Sequence, residues 1–227
     1  MTTTTRRLLA CGVVGGPLFA VVALAQALTR PGFDLTRQAV SMLSLGGDGW
    51  IQIANFLVAG ILALACATGV RRALRGRPGG TWTPRLLYAY GAGLIAGGLF
   101  HPDAGSGFPP GTPTGQSVVR SWHGALHMTF GMLAFIALIV ACFVLARYYR
   151  SCGRRQWATA SRFVGGVFAA CVLASAAPGG SLTLFVGAST AMVWIAIIAR
   201  QLTSADAAAE VLRPRLGAQA QPVKQLS

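Results

Sequence analysis

The 227-residue sequence is too apolar for a water-soluble globular protein: 54% of its residues are hydrophobic, only 11% are charged, and its mean hydropathy is +0.59. Soluble domains carry about a quarter charged residues, which cover their water-facing surface. The formal net charge of +14 does not indicate nucleic-acid binding, because the basic residues fall in short tracts between apolar segments. Composition and charge pattern together predict an integral membrane protein.

Six apolar segments follow one another along the chain and predict an all-α bundle of six transmembrane helices. They cover residues 8–28, 50–70, 86–100, 123–146, 163–177 and 182–199. The third and fifth are only about 15 residues long, so we expect them to be packed among other helices or to lie in a thinned bilayer. The membrane domain is predicted over residues 1–202, followed by a flexible cytoplasmic tail over 203–227 with one candidate short helix at 205–212.

The first apolar segment has an alternative interpretation as a cleaved signal peptide. Ala25-Gln26-Ala27 resembles a signal-peptidase site. However, the apolar run that precedes this site is longer than the usual core of a signal peptide. We therefore favour an uncleaved first span, in a mature protein that begins at or next to Met1.

The distribution of basic residues predicts the orientation in the membrane. If the N-terminus is cytoplasmic, 16 of the 19 Lys and Arg residues fall on the cytoplasmic side. The three that fall outside are Arg30, Arg37 and Arg120. This strong positive-inside bias predicts that both termini are cytoplasmic, in a multi-pass protein of a bacterial cell membrane. No cysteine falls in a predicted outer connection, so no disulfide framework is expected.

Both long outer connections contain local structural signals. In the first, Leu35, Ala39, Met42 and Leu43 follow the spacing of one helix face, which predicts a short amphipathic helix lying on the membrane surface. The second, residues 102–121, is rich in proline and glycine, which excludes a regular helix.

The third apolar segment carries a face of small residues. Its glycines are Gly91, Gly93, Gly97 and Gly98. Such a face allows another helix to approach closely. We therefore expect close helix packing here, and a homo-oligomer or a membrane partner protein that binds through small-residue faces.

Polar and titratable side chains concentrate where the even-numbered segments begin. Gln52 and Asn55 lie in the first two turns of the second segment, and all three histidines lie between residues 101 and 127. Such groups are costly beside lipid unless they are paired, hydrated or used. We therefore predict an outer-leaflet ligand-binding pocket lined by Gln52, Asn55, Asp103, Trp122, His123 and His127.

His123 and His127 share one helix face, and with Asp103 and His101 they are weak candidates for a metal site. A metalloprotease helix carries Glu after its first histidine, but Gly124 occupies that position here. The paired spacing is also found in membrane-embedded zinc hydrolases of the ceramidase and adiponectin-receptor type. We expect that no cofactor is bound. A zinc ion at these residues is the alternative. We also expect a tight hairpin to bring the Asp103 carboxylate to the imidazole of His123.

Five stretches, together with Asp103, carry a resemblance to a known family. They read RPGFD at 30–34, SMLSLG at 41–46, GWIQIANF at 49–56, GFPPGTP at 107–113 and WHGALH at 122–127. They resemble a family of prokaryotic, notably actinobacterial, multi-span proteins known as a domain of unknown function. The resemblance covers residues 8 to 201 and implies a six-helix membrane domain without an established activity. An apolar residue commonly occupies the position of His101 in that family, which disfavours a three-histidine metal site.

Three functions from different classes stay open. The leading one is a non-enzymatic protein that binds a lipid or small ligand, as a sensor or accessory subunit. The second is a metal-assisted membrane hydrolase that uses His123, His127 and Asp103. The third is a small-molecule transporter, which is disfavoured because the spans lack matched mid-span breaks and mid-membrane charges. We lean against enzymatic activity and expect membrane lipids, not nucleic acid, as partners.

Overall fold

The computed structural model describes residues 1–115, 120–177 and 179–219, with side chains up to residue 204. These residues form six α-helices and no β-strand, which confirms the all-α prediction. The helices are α1 (Thr3–Thr29), α2 (Gly49–Ala73), α3 (Trp82–Leu99), α4 (Trp122–Ser151), α5 (Arg155–Ala174) and α6 (Gly180–Gln219). A short 3₁₀ helix, η1 (Val40–Ser44), lies in the first connection. Each α-helix contains or closely overlaps one of the predicted apolar segments.

Within the described residues, five helices are long and apolar enough to cross a membrane, and α3 is not one of them. It has 18 residues, carries Pro84 and Arg85 in its first turn, and contains four glycines. Nevertheless α3 is packed on both sides, against α2 and α4. The chain is therefore a multi-pass membrane protein, in which a less apolar helix is covered by two long apolar ones.

The six helices form a closed ring in which each helix packs against its neighbours in the chain and α6 returns to α1. Side-chain pairs show that neighbouring helices are antiparallel. Thr68 of α2 bonds to Tyr88 of α3, and Ser161 of α5 accepts a hydrogen bond from Trp194 of α6. The ring therefore has two ends. The connection end is formed by residues 30–48, 100–115, 120–121, 175–177 and 179. The arginine end is formed by the N-terminus of α1, the C-terminus of α6 and residues 74–81 and 152–154.

Small residues allow the backbones of neighbouring helices to approach closely. A Cβ atom built on Gly60 of α2 would lie 2.8 Å from the carbonyl oxygen of Gly91, and one on Gly91 would lie 3.0 Å from that of Gly60. On the other side of α3, a Cβ on Gly93 would lie 2.6 Å from that of Ala134. The predicted close approach at α3 thus occurs between helices of the same chain. Oligomerisation stays a prediction.

Arg30 organises the connection end. Its guanidinium donates hydrogen bonds to the backbone oxygens of Leu43 (3.3 Å) and Leu45 (2.7 Å), and its Nε lies 3.6 Å from the carboxylate of Asp48. The guanidinium carbon also lies 5.8 Å from the ring centroid of Phe108, in the second connection. One arginine thereby joins the two long connections.

The first connection packs against the bundle and does not form the predicted amphipathic surface helix, so that prediction is wrong. Its only helix is the five-residue η1, in which Leu43 and Ser44 are buried. Gln38 is also buried, and its side chain is satisfied by two hydrogen bonds. It donates to the backbone oxygen of Ser106 (2.6 Å) and accepts from the backbone N–H of Asp34 (2.6 Å). Contacts with the second connection thus outweigh the tendency of the apolar spacing to form a surface helix.

The last helix is longer than the predicted sixth span. It continues from Gly180 to Gln219 and therefore runs through much of the segment predicted as a tail, beyond the candidate short helix at 205–212. Residues 220–227 lie outside the described part of the chain. The flexibility and cytoplasmic position of this tail stay predictions.

Candidate functional site

The six residues of the predicted pocket lie in two separate places. Gln52 and Asn55 are buried where α1 meets α2, whereas Asp103 and His123 lie at the N-terminal end of α4. His127 lies one turn further along α4, and its ring approaches that of Phe56 on α2 at 6.4 Å. These two groups of side chains therefore have different partners, and a common pocket for them stays a prediction.

Gln52 and Asn55 belong to an amide cluster with Gln26, in which all three side chains are buried. The oxygen of Gln52 accepts hydrogen bonds from Gln26 Nε2 (2.8 Å) and from Asn55 Nδ2 (3.2 Å). Asn55 Nδ2 also donates to the backbone oxygen of Phe19 at 3.1 Å. Since side-chain amides inside a membrane bundle are stable only with partners, this cluster joins α1 to α2. Gln26 is the one polar residue that the sequence shows within the first apolar segment.

Asp103 caps the N-terminus of α4 through Ser121. The backbone N–H of Ser121 donates to Oδ2 of Asp103 at 3.1 Å, its hydroxyl donates to Oδ1, and the same hydroxyl accepts from the backbone N–H of Gly124 at 3.0 Å. A side chain at position 124 would collide with the carboxylate, so glycine is required there. A negative charge is favoured at this position because the helix dipole is positive there.

The expected direct pairing of Asp103 with His123 does not form, because Ser121 lies between them. The Nδ1 atom of His123 lies 3.0 Å from the Ser121 hydroxyl and 3.1 Å from the backbone oxygen of His101. The Nδ1 atom of His127 lies 2.8 Å from the backbone oxygen of Phe100. A carbonyl oxygen only accepts, so both histidines carry the proton on Nδ1. In the neutral rings Nε2 then holds the lone pair.

The remaining predicted site residues are Trp122 and His101. Trp122 is 71% exposed, and its ring meets those of Phe100 (6.3 Å) and His123 (5.6 Å) edge to face. The Nδ1 atom of His101 is buried without a partner among the described residues. In that part of the chain, no group of three or more His, Cys, Asp or Glu side chains is arranged to hold a metal ion.

A central cavity of about 190 Å³ lies inside the helix ring. Its lining is almost entirely apolar and comes from all six helices and from residues 39–41 of the first connection. Met128 and Met132 of α4 line it and are nevertheless exposed, so the cavity is open beside the N-terminal half of that helix. Ser175 and Ser181, which flank the turn between α5 and α6, also line it. The cavity therefore extends from the connection end into the bundle.

Besides its serines, two polar side chains of the bundle line the central cavity. One is His127, the only residue of the predicted pocket in its lining. The other is Tyr90 of α3, which is only 6% exposed and whose hydroxyl has no hydrogen-bond partner within the described part of the chain. Leaving a buried hydroxyl without a hydrogen bond costs about 1–3 kcal/mol of stability. A bound group that accepts a hydrogen bond from Tyr90 would therefore be favoured here.

A family model covers residues 13–201, which includes α2 to α5, both long connections, most of α1 and the first half of α6. The chain belongs to the family described as "Protein of unknown function (DUF998)". This membership confirms the resemblance to a domain of unknown function. No curated protein and no solved structure matches the chain.

Within this DUF998 domain, sequence reasoning missed Tyr90 and the central cavity. Tyr90 is a polar residue in the middle of a glycine-rich apolar segment, which is a signal that could have found it. The cavity has no counterpart in local sequence, because its lining is drawn from every helix.

Proposed function

We propose that the chain is a six-span protein of a bacterial cell membrane that binds a lipid or a small apolar ligand in its central cavity, with both termini in the cytoplasm. The observation that carries the proposal is the cavity, which is apolar and has among its lining residues Tyr90, whose buried hydroxyl has no partner in the described part of the chain. The binding site thus lies deeper than the pocket expected from sequence, and it retains His127 from that pocket.

The ring supports six spans and the proposed orientation. Because α3 lies antiparallel between α2 and α4, it crosses the same layer as they do even though it is less apolar. All three odd-to-even connections then lie at the connection end, and both outermost helix termini lie at the arginine end. That is the arrangement in which 16 of the 19 basic residues are cytoplasmic.

The size and lining of the cavity favour a ligand with a narrow apolar part. Its volume of about 190 Å³ exceeds that of an apolar cavity of about 150 Å³ that binds benzene, and is below the range of about 300–1,000 Å³ for drug-sized ligands. The end of one alkyl chain fits these limits. The Tyr90 hydroxyl can donate to a polar atom of the ligand, and Nε2 of a neutral His127 can accept from one.

Binding is favoured over catalysis because the cavity lacks an activated nucleophile among the described residues. Several serines line it, but Nδ1 of His127 bonds to the backbone oxygen of Phe100 and not to a serine hydroxyl. Nucleophilic catalysis requires the base to lie within hydrogen-bond reach of the nucleophile.

The binding proposal is tested by filling the cavity with the variant Gly131→Leu. Gly131 lines the cavity, and a Cβ atom there would meet no atom within 4 Å. Gly166→Leu is the matched control, since Gly166 is also an open helical position but lies outside the cavity lining. Binding of a neutral long-chain alcohol to the purified protein is measured by native mass spectrometry. We expect Gly131→Leu to weaken binding about tenfold or more, equivalent to about 1.4 kcal/mol, and the control to bind as the wild type.

Equal binding by the wild type and both variants would exclude the central cavity as the ligand site. The orientation is tested separately with Gly47→Cys, because residue 47 is exposed at the connection end and its Cβ would meet nothing. An impermeant thiol reagent on intact cells should label this cysteine and leave Cys152, exposed at the arginine end, unlabelled. The reverse pattern would invert the topology.

A further inference from the structure

A second concavity, the polar groove, lies on the surface of the connection end. It has a volume of about 410 Å³ and is lined by Thr36, Arg37, Ser106 and Thr114 of the two long connections and by residues that flank the turn between α5 and α6. Hydroxyl groups and one guanidinium thus face a space formed by three separate connections. Hydroxyl and guanidinium groups together are well suited to bind oxyanions.

The polar groove lies directly beside the central cavity. Ser175 and Ser181 line both spaces. The first connection also runs from one space to the other, since Thr36 and Arg37 line the groove and residues 39–41 line the cavity. A single molecule can therefore occupy both, with a polar part at the surface and an apolar part inside the ring.

Arg37 supplies the positive charge of the groove. Its guanidinium forms no hydrogen bond or ion pair with another residue that the structure describes, whereas Arg30 is held by two backbone oxygens and by Asp48. Asp34 lies near enough to Arg37 to feel its charge, but the carboxylate of Asp34 is already bonded to the hydroxyl and backbone N–H of Thr36. Those two hydrogen bonds are the main reason why the pKa of Asp34 is lowered, and Arg37 adds a smaller effect.

We propose that the ligand is an anionic amphiphile, whose alkyl chain enters the central cavity and whose phosphate or carboxylate headgroup binds Arg37 and the hydroxyls of Ser106, Thr114 and Ser181. The hydroxyls of Thr36 and Ser175 already donate to Asp34 and to the backbone oxygen of Val172. This inference rests on the proposed function, because it adds the headgroup to a chain-binding site. The charge of Arg37 complements the headgroup, and the apolar lining complements the chain. A membrane lipid supplies both parts in one molecule at the depth where the groove and the cavity join.

The test compares probes with the same alkyl chain and different headgroups: an alkyl phosphate, the neutral alcohol and the zwitterionic phosphocholine. Inorganic phosphate serves as the headgroup alone. Affinities are measured for the wild type, Arg37→Gln and Arg120→Gln, the last being the matched control because Arg120 is exposed near the same end but does not line the groove. We expect the wild type to bind the alkyl phosphate about tenfold more tightly than the alcohol. Arg37→Gln should abolish this preference, and Arg120→Gln should keep it.

The outcomes separate this inference from the proposed function. If the wild type binds the alcohol and the alkyl phosphate equally, the anionic headgroup is refuted while the chain site stands. If inorganic phosphate binds as tightly as the alkyl phosphate, the groove is an independent anion site and the inference also fails. If no alkyl probe binds at all, the proposed function itself fails. Salt offers an added check, because the preference for the alkyl phosphate should shrink as ionic strength rises.

Discussion

The contact between α2 and α3 predicts that adding one methyl group at Gly60 destabilises the bundle. In Gly60→Ala the new Cβ atom would lie 2.6 Å from Cγ1 of Ile95 and 2.8 Å from the carbonyl oxygen of Gly91. The Ile95 side chain can rotate away, but the oxygen of Gly91 belongs to the backbone of a helix. Ordinary contacts begin at 3.4 Å, so α2 and α3 must move apart by several tenths of an ångström.

The expected magnitude follows from two opposing effects. Overpacking a closely packed site costs about 1–3 kcal/mol. Replacing glycine by alanine in a helix returns about 1 kcal/mol, because alanine loses less backbone entropy on folding. The net loss of stability is therefore up to about 2 kcal/mol, which corresponds to a fall in Tm of up to roughly 8 °C for a chain of this length.

Thermal melts of purified protein in detergent measure this effect, with Gly166→Ala as the matched control. A Cβ atom on Gly166 meets nothing within 4 Å, so only the gain in helix propensity remains and the Tm should stay level or rise. Gly91→Ala should behave like Gly60→Ala, since its Cβ would lie 3.0 Å from the backbone oxygen of Gly60. The reasoning is refuted if Gly60→Ala melts at or above the temperature of Gly166→Ala.

Three further predictions concern the connections. Arg30→Lys should lower the Tm, because a lysine ammonium cannot reproduce the planar contacts of the guanidinium with two backbone oxygens; an unchanged melt would show that the two connections hold together without it. Asp103→Asn should cost about 1 kcal/mol in thermal melts, since an amide has one acceptor oxygen for the two Ser121 donors and no charge for the helix dipole; a loss of zero would contradict the capping role. Asp34→Asn should destabilise the protein near neutral pH and not in strong acid. The folded-state pKa of Asp34 is lowered by Thr36, so its stabilisation is present above the unfolded pKa of about 3.9 and is lost as the pH falls through the folded value; a loss that is equal at both pH values would exclude this contribution.

Local sequence predicted the helices well because their signals are local. Each apolar segment became a helix, and arginine-rich stretches with proline or glycine separate the helices at the arginine end. The partners of the buried polar residues were not predictable in the same way. Gln52 and Asn55 did need partners inside the bundle, but those partners are Gln26 and the backbone of Phe19, which lie on another helix. A residue's cost in lipid can be seen in sequence, whereas the identity of its partner depends on which helices pack together.

The sequence by itself determined that this chain is a helical membrane protein of the DUF998 family, because hydropathy, segment length and family motifs are properties of contiguous residues. Only the tertiary structure decided that the six helices close into a ring, that Ser121 separates Asp103 from His123, and that the cavity lies beside the polar groove. The physical reason is the range of the interactions. A helix needs hydrogen bonds over four residues, whereas the ring, the cavity and the groove depend on contacts between residues that lie far apart in the chain.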